Sequence, residues 1–225
     1  MKIARFSKHI CSVVLLVVFT IMAVSCALDP MDKKQTEFHG SVSEIEEIVL
    51  TDYSDVLRFS EPDINEDALT VEWDVYFLRR YVRNNDLKDS MPPYKVMEDV
   101  RETINMYMID NPEYKLKDYK VDIVFWEPEP EWFGQETTRS IGHIYNYSFL
   151  PEGNEYDSFS VVEFYQYDDW NCLEGQEDIY EIYLGTTSLD DTLEIIDTLP
   201  NLQVAYVSNE IRDEISDLRP NIDFY

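Results

Sequence analysis

A change of hydrophobic period along the chain restricts its fold more than any other feature. Val71, Trp73, Val75 and Phe77 alternate with Glu72, Asp74 and Tyr76, the period-two signature of a half-buried strand. Pro92-Pro93 then opens a segment in which Met97, Val100, Ile104 and Met108 recur at spacings of three and four. That spacing lines them along one side of a helix. Asn111-Pro112 predicts its end, because proline disfavours the helical region in the residue before it. Period two returns in Tyr119, Val121, Ile123 and Phe125. A strand–helix–strand order of this kind excludes all-helical and all-β folds.

Later segments extend the pattern. Ile141–Phe149 and Phe159–Tyr167 read as two adjacent strands around the turn at Pro151–Asn154, after a stiff acidic loop over Glu127–Gly134. Ile179–Leu184 is a strand. Ser188 is placed to cap a helix with the stripe Leu189, Leu193, Ile196 and Leu199. Leu202–Val207 reads as a strand, Ile211, Ile215 and Leu218 as a helix, and Ile222–Tyr225 as a last short strand. Pro200-Asn201-Leu202 recurs as Pro220-Asn221-Ile222, faintly similar to leucine-rich repeats. The Leu-x-x-Leu-x-Leu spacing is missing, so a βαβαβ tail with parallel strands is the simpler reading. The expected class is α+β: a mixed sheet with antiparallel middle strands and a C-terminal βαβαβ-like portion. Near the start, Ser43 with Glu46 fits a capping box for a helix over 44–50, and Ile48-Val49-Leu50 fits a strand equally well.

The first residues carry a different message. Lys2, Arg5 and Lys8 precede an apolar run over Ile10–Val24, the layout of an export signal. The run is shorter than the roughly 20 apolar residues of a spanning helix. Ala23-Val24-Ser25-Cys26 follows, and it resembles a bacterial lipobox. The resemblance covers about the first 26 residues and implies that Cys26 receives a diacylglyceryl group, with cleavage just before it. It also implies a lipid-anchored protein on the extracytoplasmic face of the cell membrane. Two other readings use the same residues: Ala23-x-Ser25 also satisfies the small-x-small rule of ordinary secretion, and an uncleaved run would be an anchor. The expected organisation is a signal peptide over 1–25, a polar tether over 26–40 and a single α+β domain over 41–225. A subdomain break is a candidate near 170–178.

Charge narrows the partners. The chain has 46 Asp+Glu against 18 Lys+Arg, a net charge of −28. The signal holds three of the bases and no acid, so the mature protein is more acidic still. Such a field repels nucleic acid and anionic lipid and attracts basic proteins and cations. A hydrophobic content of 44 % argues against a disordered chain. Of the cysteines, Cys11 lies in the signal. If Cys26 carries lipid, Cys172 has no partner for a disulfide within the chain; if it does not, Cys26–Cys172 is the rival pairing.

Catalytic motifs are scarce. There is no Gly-x-Ser-x-Gly elbow and no Gly-rich phosphate loop. His39 and His143 are the only histidines after the signal, and His143, sharing strand parity with Ile141, Tyr145 and Tyr147, reads as a hydrogen-bonded packing residue. Cys172, among acids, is a poor nucleophile. No catalytic residue is assigned and no cofactor is expected, with calcium the one candidate ion. Asp63, Asn65 and Asp67 stand at alternate positions as in a calcium loop, with Asp74 at the twelfth place, but Ala68 occupies the position where that loop turns on Gly. A plain acidic turn is the competing reading. Asp168-Asp169-x-Asn171 is a second acidic cluster.

Trp132-Phe133, in the proline-rich acidic loop, is the aromatic pair expected to be exposed and to bind, whereas Trp73 and Trp126 read as core. The expected role is therefore binding or assembly at the cell envelope. The alternatives are a carbohydrate- or peptide-binding surface lipoprotein using Trp132 and Phe133, and an envelope hydrolase. Expected partners are the membrane, through the lipid, and an envelope protein or glycan, with no nucleic acid.

Overall fold

A computed structural model describes residues 30–113, 118–129, 137–151, 153, 155–165, 171–185 and 187–225, of which 30–39, 41 and 171 by their backbone alone. The chain divides into two units, residues 1–44 and 45–225. Helix α1 (Pro30–Tyr53) begins in the first and ends in the second. The stretch read as a tether is thus helical from Pro30, where proline at a helix start gives up an N–H that has no intrahelical partner anyway. Residues 44–50 are helix and not strand, with Ile45 and Val49 buried four apart on one side, but Ser43 lies inside the helix and not at its start, so the expected capping box does not begin it.

The second unit is built on one mixed sheet. Strands β1 (Leu57–Phe59) and β2 (Asp63–Asn65) both pair antiparallel with β3 (Thr70–Phe77). Two short helices follow, α2 (Arg79–Val82) and α3 (Asn85–Ser90), the latter capped by the Asn84 side chain, which accepts from the Leu87 N–H. Helix α4 (Pro93–Asp110) then crosses to β4 (Lys120–Pro128), which lies parallel to β3. Met97, Val100, Ile104 and Met108 are all buried, and Asn111 ends the helix by donating from its backbone and its side chain to the Tyr107 carbonyl.

Strand β5 (Thr138–Tyr145) runs antiparallel to β4 and to β6 (Val161–Phe164). After a 3₁₀ turn at Asn171–Leu173, β7 (Glu181–Tyr183), helix α5 (Leu189–Thr198), β8 (Val204–Tyr206), helix α6 (Arg212–Leu218) and β9 (Asp223–Phe224) complete the chain. Ser188 caps α5 by accepting from the Asp191 N–H at 3.2 Å. The sheet order is β1-β3-β4-β5-β6-β7-β8-β9, with β2 also on β3. The fold is α+β, with antiparallel pairs in the middle and parallel β6–β9 behind them.

Handedness decides which face of the sheet the crossover helices take. The crossovers β3-α4-β4, β7-α5-β8 and β8-α6-β9 all join parallel neighbours and step in the same direction along the sheet. Right-handed connections therefore set α4, α5 and α6 on one face. Side chains agree. Gly142 of β5 faces α4 so closely that a Cβ on it would lie 2.6 Å from the Met97 Cε. The Phe164 ring is 5.4 Å from that of Tyr94 at the start of α4. Val71, Trp73, Val75, Phe77, Ile123, Phe125, Ile144, Val162, Ile182 and Ala205 make the buried side of the sheet.

Several elements differ from expectation in detail. Glu127 and Pro128 close strand β4 rather than open a loop; residues 130–136 lie outside the described part. In α5 the buried residues include Thr192 and Ile195, with Leu189 and Leu193 only half-buried, because the helix is rotated toward the sheet from the simple apolar stripe. Leu218 is exposed, and Ile215 alone anchors α6.

Candidate functional site

The face opposite the helices is lined by tyrosines and carboxylates. Strand alternation places Glu72, Asp74 and Tyr76 of β3 there, beside Asp122, Val124 and Trp126 of β4. His143 and Tyr145 of β5 follow, then Glu163 of β6 and Tyr183 of β7, with Tyr206 of β8 next in register. Trp126, read as core from sequence, lies on this face, half-buried: it stacks with Tyr76 at 6.5 Å, and its Nε1 donates to Asp74 Oδ1 at 2.5 Å. Trp73 is core as expected.

A ladder of rings runs across the sheet. Tyr183 and Tyr206 stack with centroids 4.0 Å apart and planes 8° from parallel. Tyr225 continues the row at 5.6 Å from Tyr206. Phe149 folds over it, edge-on to Tyr145 at 4.3 Å and to Tyr183 at 4.9 Å, and is itself 38 % exposed. Carboxylates thread between the rings. Tyr145 donates to Glu163 at 3.0 Å, and Tyr156 donates to Glu181 at 2.7 Å. Burial, then the charges of Asp122 and Glu163, push the Tyr145 phenol far up, and burial followed by Glu163 pushes Tyr165 up to about 12. These phenols stay protonated donors at neutral pH. Glu72 is also raised, by burial and then by the neighbouring charges of Asp74 and Asp122.

At the centre of the face, Asp122, His143 and Ser140 form a hydrogen-bonded chain. Asp122 Oδ1 lies 2.9 Å from His143 Nδ1, and His143 Nε2 lies 3.2 Å from Ser140 Oγ. With the carboxylate accepting from Nδ1–H, Nε2 is left to accept from the serine hydroxyl. The imidazole stacks on Tyr145 at 5.5 Å and meets Tyr165 edge-on at 5.6 Å. A β-bulge makes the arrangement. Phe125 pairs with Gly142 but Trp126 pairs with Ser140, so Ile141 is an extra residue. Without it, Ser140 and His143, three apart, would point to opposite faces, and Ile141 would share the face of His143.

The candidates read from sequence fall as follows. Cys26, the Trp132-Phe133 pair and Asp168-Asp169 lie outside the described residues. Asp63 and Asn65 are on β2, opposite Glu72 and Thr70, and Asp67 is in the turn that follows. The Asn65 Oδ1 is engaged by the Ala68 N–H at 3.0 Å, and Leu69 completes the turn at φ 51°. Among the described residues no group of three or more His, Cys, Asp or Glu is arranged to hold a metal, and no helix is long and apolar enough to cross a membrane. Asp122, Ser140, Glu163, Tyr183 and Tyr206 were not singled out from sequence. The usable signal was the alternation Tyr145, Tyr147, Phe149, which marks an aromatic rather than polar outer face.

Comparison with protein-family models, with curated proteins and with solved structures finds no match for this chain.

Proposed function

We propose that this is a lipid-anchored extracytoplasmic binding protein whose tyrosine-lined sheet face takes a basic segment of an envelope protein. The observation that carries the reading is the interleaving of rings and carboxylates on that face. Aromatic faces attract Lys and Arg, and carboxylates beside them add charge-assisted hydrogen bonds. The chain's own cations already use such rings: the Arg58 guanidinium lies 5.0 Å from the Tyr76 centroid, and the Lys120 ammonium 5.5 Å from that of Tyr147. A net charge of −28 adds long-range attraction for the same class of partner. Attachment through Cys26 would hold the face at the membrane surface, since two or more acyl chains anchor firmly where one does so marginally.

The test is calorimetric titration of the full-length protein, solubilised from membranes, with Lys/Arg-rich peptides, acidic peptides and neutral oligosaccharides. Binding confined to the basic peptides supports the reading. Binding of oligosaccharides alone would move it to the carbohydrate alternative. The anchor is tested separately: Cys26→Ala should move the protein from the membrane to the soluble fraction, and retention in the membrane would refute it.

A second reading has its own observation. Ser140, His143 and Asp122 are spaced as nucleophile, base and orienting carboxylate. An envelope hydrolase would attack through the Ser140 hydroxyl as its proton passes to His143 Nε2. The carboxylates on the same face, Glu72 and Glu163, oppose the oxyanion such a reaction develops, which is why binding is preferred. Covalent labelling by a fluorophosphonate, absent in Ser140→Ala, would decide for hydrolysis.

A further inference from the structure

On the helix side of the sheet, beyond the ends of β3 and β4, lies a cleft of about 490 Å³. Its charge runs against the rest of the protein. Arg79, Arg83, Lys88 and Arg139 converge on it, against the carboxylates Glu127 and Glu129, in a chain where acids outnumber bases 46 to 18. The geometry points to a binding site for a phosphate-bearing small molecule in this cleft, distinct from the tyrosine face.

Three features build the site. The first is position. Strands β3 and β4 are parallel, and the cleft opens where β3 passes into α2 and β4 ends at Pro128. Open α/β sheets place their ligands beyond the carboxyl ends of parallel strands. The second is rigid presentation. Arg79 and Arg83 stand one helical turn apart, joined by the hydrogen bond from the Arg83 N–H to the Arg79 carbonyl at 3.0 Å. Their helix is held down by Tyr81, fully buried, whose ring packs 5.2 Å from Phe77 and whose hydroxyl donates to the Met91 carbonyl at 2.6 Å.

The third is the role of Glu127. It is nearly buried, with Lys88 Nζ 3.3 Å from one oxygen and Arg139 Nη2 3.0 Å from the other. One carboxylate thus orients two cations from opposite walls, as the supporting partner of a binding group does. Among the described lining residues the excess of positive charge suits a dianion, and arginine forks match phosphate oxygens in pairs. Val82 and Pro128 add an apolar wall for an organic moiety, and the volume lies in the range of small-molecule pockets. A phosphate could come from a soluble metabolite or from a lipid headgroup. The acidity of the surrounding surface favours the soluble source, because an anionic bilayer would be repelled.

The experiment is calorimetric titration of the full-length solubilised protein at constant ionic strength. The probes are inorganic pyrophosphate, glycerol phosphate, and phosphatidylcholine vesicles with and without phosphatidylglycerol. Saturable binding of the soluble phosphates is expected. It should weaken at least tenfold in the Arg79→Ala/Arg83→Ala double variant and strengthen in Glu129→Gln, which removes a like charge from the wall. Both variants should melt within a few degrees of the wild type without ligand. Binding only to phosphatidylglycerol vesicles, with the same variant response, would assign the cleft to a lipid headgroup. Absence of saturable binding to every probe would overturn the proposal, as would binding that the double variant leaves unchanged.

Discussion

Arg101 and Asp178 stand 77 residues apart in sequence and meet with Nη2 and Oδ1 separated by 2.9 Å. Arg101 is wholly buried within α4, forks onto Glu98 at 2.6 and 2.9 Å, and donates through Nη1 to the Phe159 carbonyl at 2.9 Å. Asn105 completes the knot, with its side chain hydrogen-bonded to the Phe159 backbone and to Asp178. One residue of α4 therefore clasps the entries to both β6 and β7.

Truncating that clasp should be severe. Arg101→Ala would strand the fully buried Glu98 carboxylate without its cation, a loss of about 3–5 kcal/mol. Urea denaturation of the variant measures it. Replacing both partners, Glu98→Leu with Arg101→Met, should recover most of the loss, because the wholly buried carboxylate is removed with its cation and the one charge that loses a partner, Asp178, is part-exposed and keeps its bond from Asn105. A double variant as unstable as Arg101→Ala would show that the arginine's bonds to Phe159 and Asp178, rather than the stranded carboxylate, account for the cost.

The same knot sets a pH response. Burial pushes the Asp178 carboxyl up, but hydrogen bonds and charge from Arg101, helped by Asn105, outweigh it and hold the group below its ordinary value. A depressed folded-state value means that folding favours the ionised form. The contribution is complete above the unfolded carboxylate value, about 4, and is lost as pH falls through the lower folded one. Glu98 runs the other way. Burial raises it more than Arg101 lowers it, so its contribution falls away as pH climbs through its raised value. Comparing urea midpoints of wild type and Asp178→Asn from pH 7 to pH 3 should show a gap at neutral pH that closes in acid. A constant gap would exclude ionisation of Asp178 as its cause.

Much of the framework was legible in the sequence because it is local. The strand–helix–strand core followed from the switch of period between Val71 and Phe125, and the tail from the Ser188 cap and the recurring Pro-Asn turn. The aromatic face was not, because it depends on register. Asp122 and His143 come together through strand pairing, and Ser140 joins them only because Ile141 bulges out of step. Simple alternation puts Ile141, not Ser140, beside His143. The basic cleft was hidden for a related reason: nothing local joins Arg79 and Arg83 to Lys88 and Arg139, which line one cleft only because the end of β4 brings Glu127 and Pro128 between them.

Gly142 tests the bulge. A Cβ there would lie 2.5 Å from the Glu163 carbonyl oxygen, 2.6 Å from the Met97 Cε and 3.0 Å from the Phe164 Cδ1. The methionine can move, but the backbone oxygen of the neighbouring strand cannot do so without parting β5 from β6. Gly142→Ala should therefore cost about 1–3 kcal/mol, as overpacking of a full core does. It should also disturb the imidazole signals of His143, which is adjacent in sequence and set by the same register. Wild-type stability with unshifted His143 resonances would mean that the strands are not held this close.

The stacked pair Tyr183 and Tyr206 separates the binding role from a structural one. Both rings are half-buried and belong to the face away from the helices, so removing one leaves the packed side of the sheet untouched. Tyr206→Ala should weaken capture of a basic peptide about tenfold, the loss of roughly 1.4 kcal/mol of ring contact and cation attraction. Tyr206→Phe should retain most of the affinity, since the ring rather than the hydroxyl meets the cation. Affinity in the wild type should fall steeply between low and physiological salt, because the surrounding carboxylates are screened over about 10 Å at 0.1 M. Equal binding by Tyr206→Ala, or affinity indifferent to salt, would remove this face from the proposed function and leave the Ser140–His143–Asp122 chain as its remaining claim to activity.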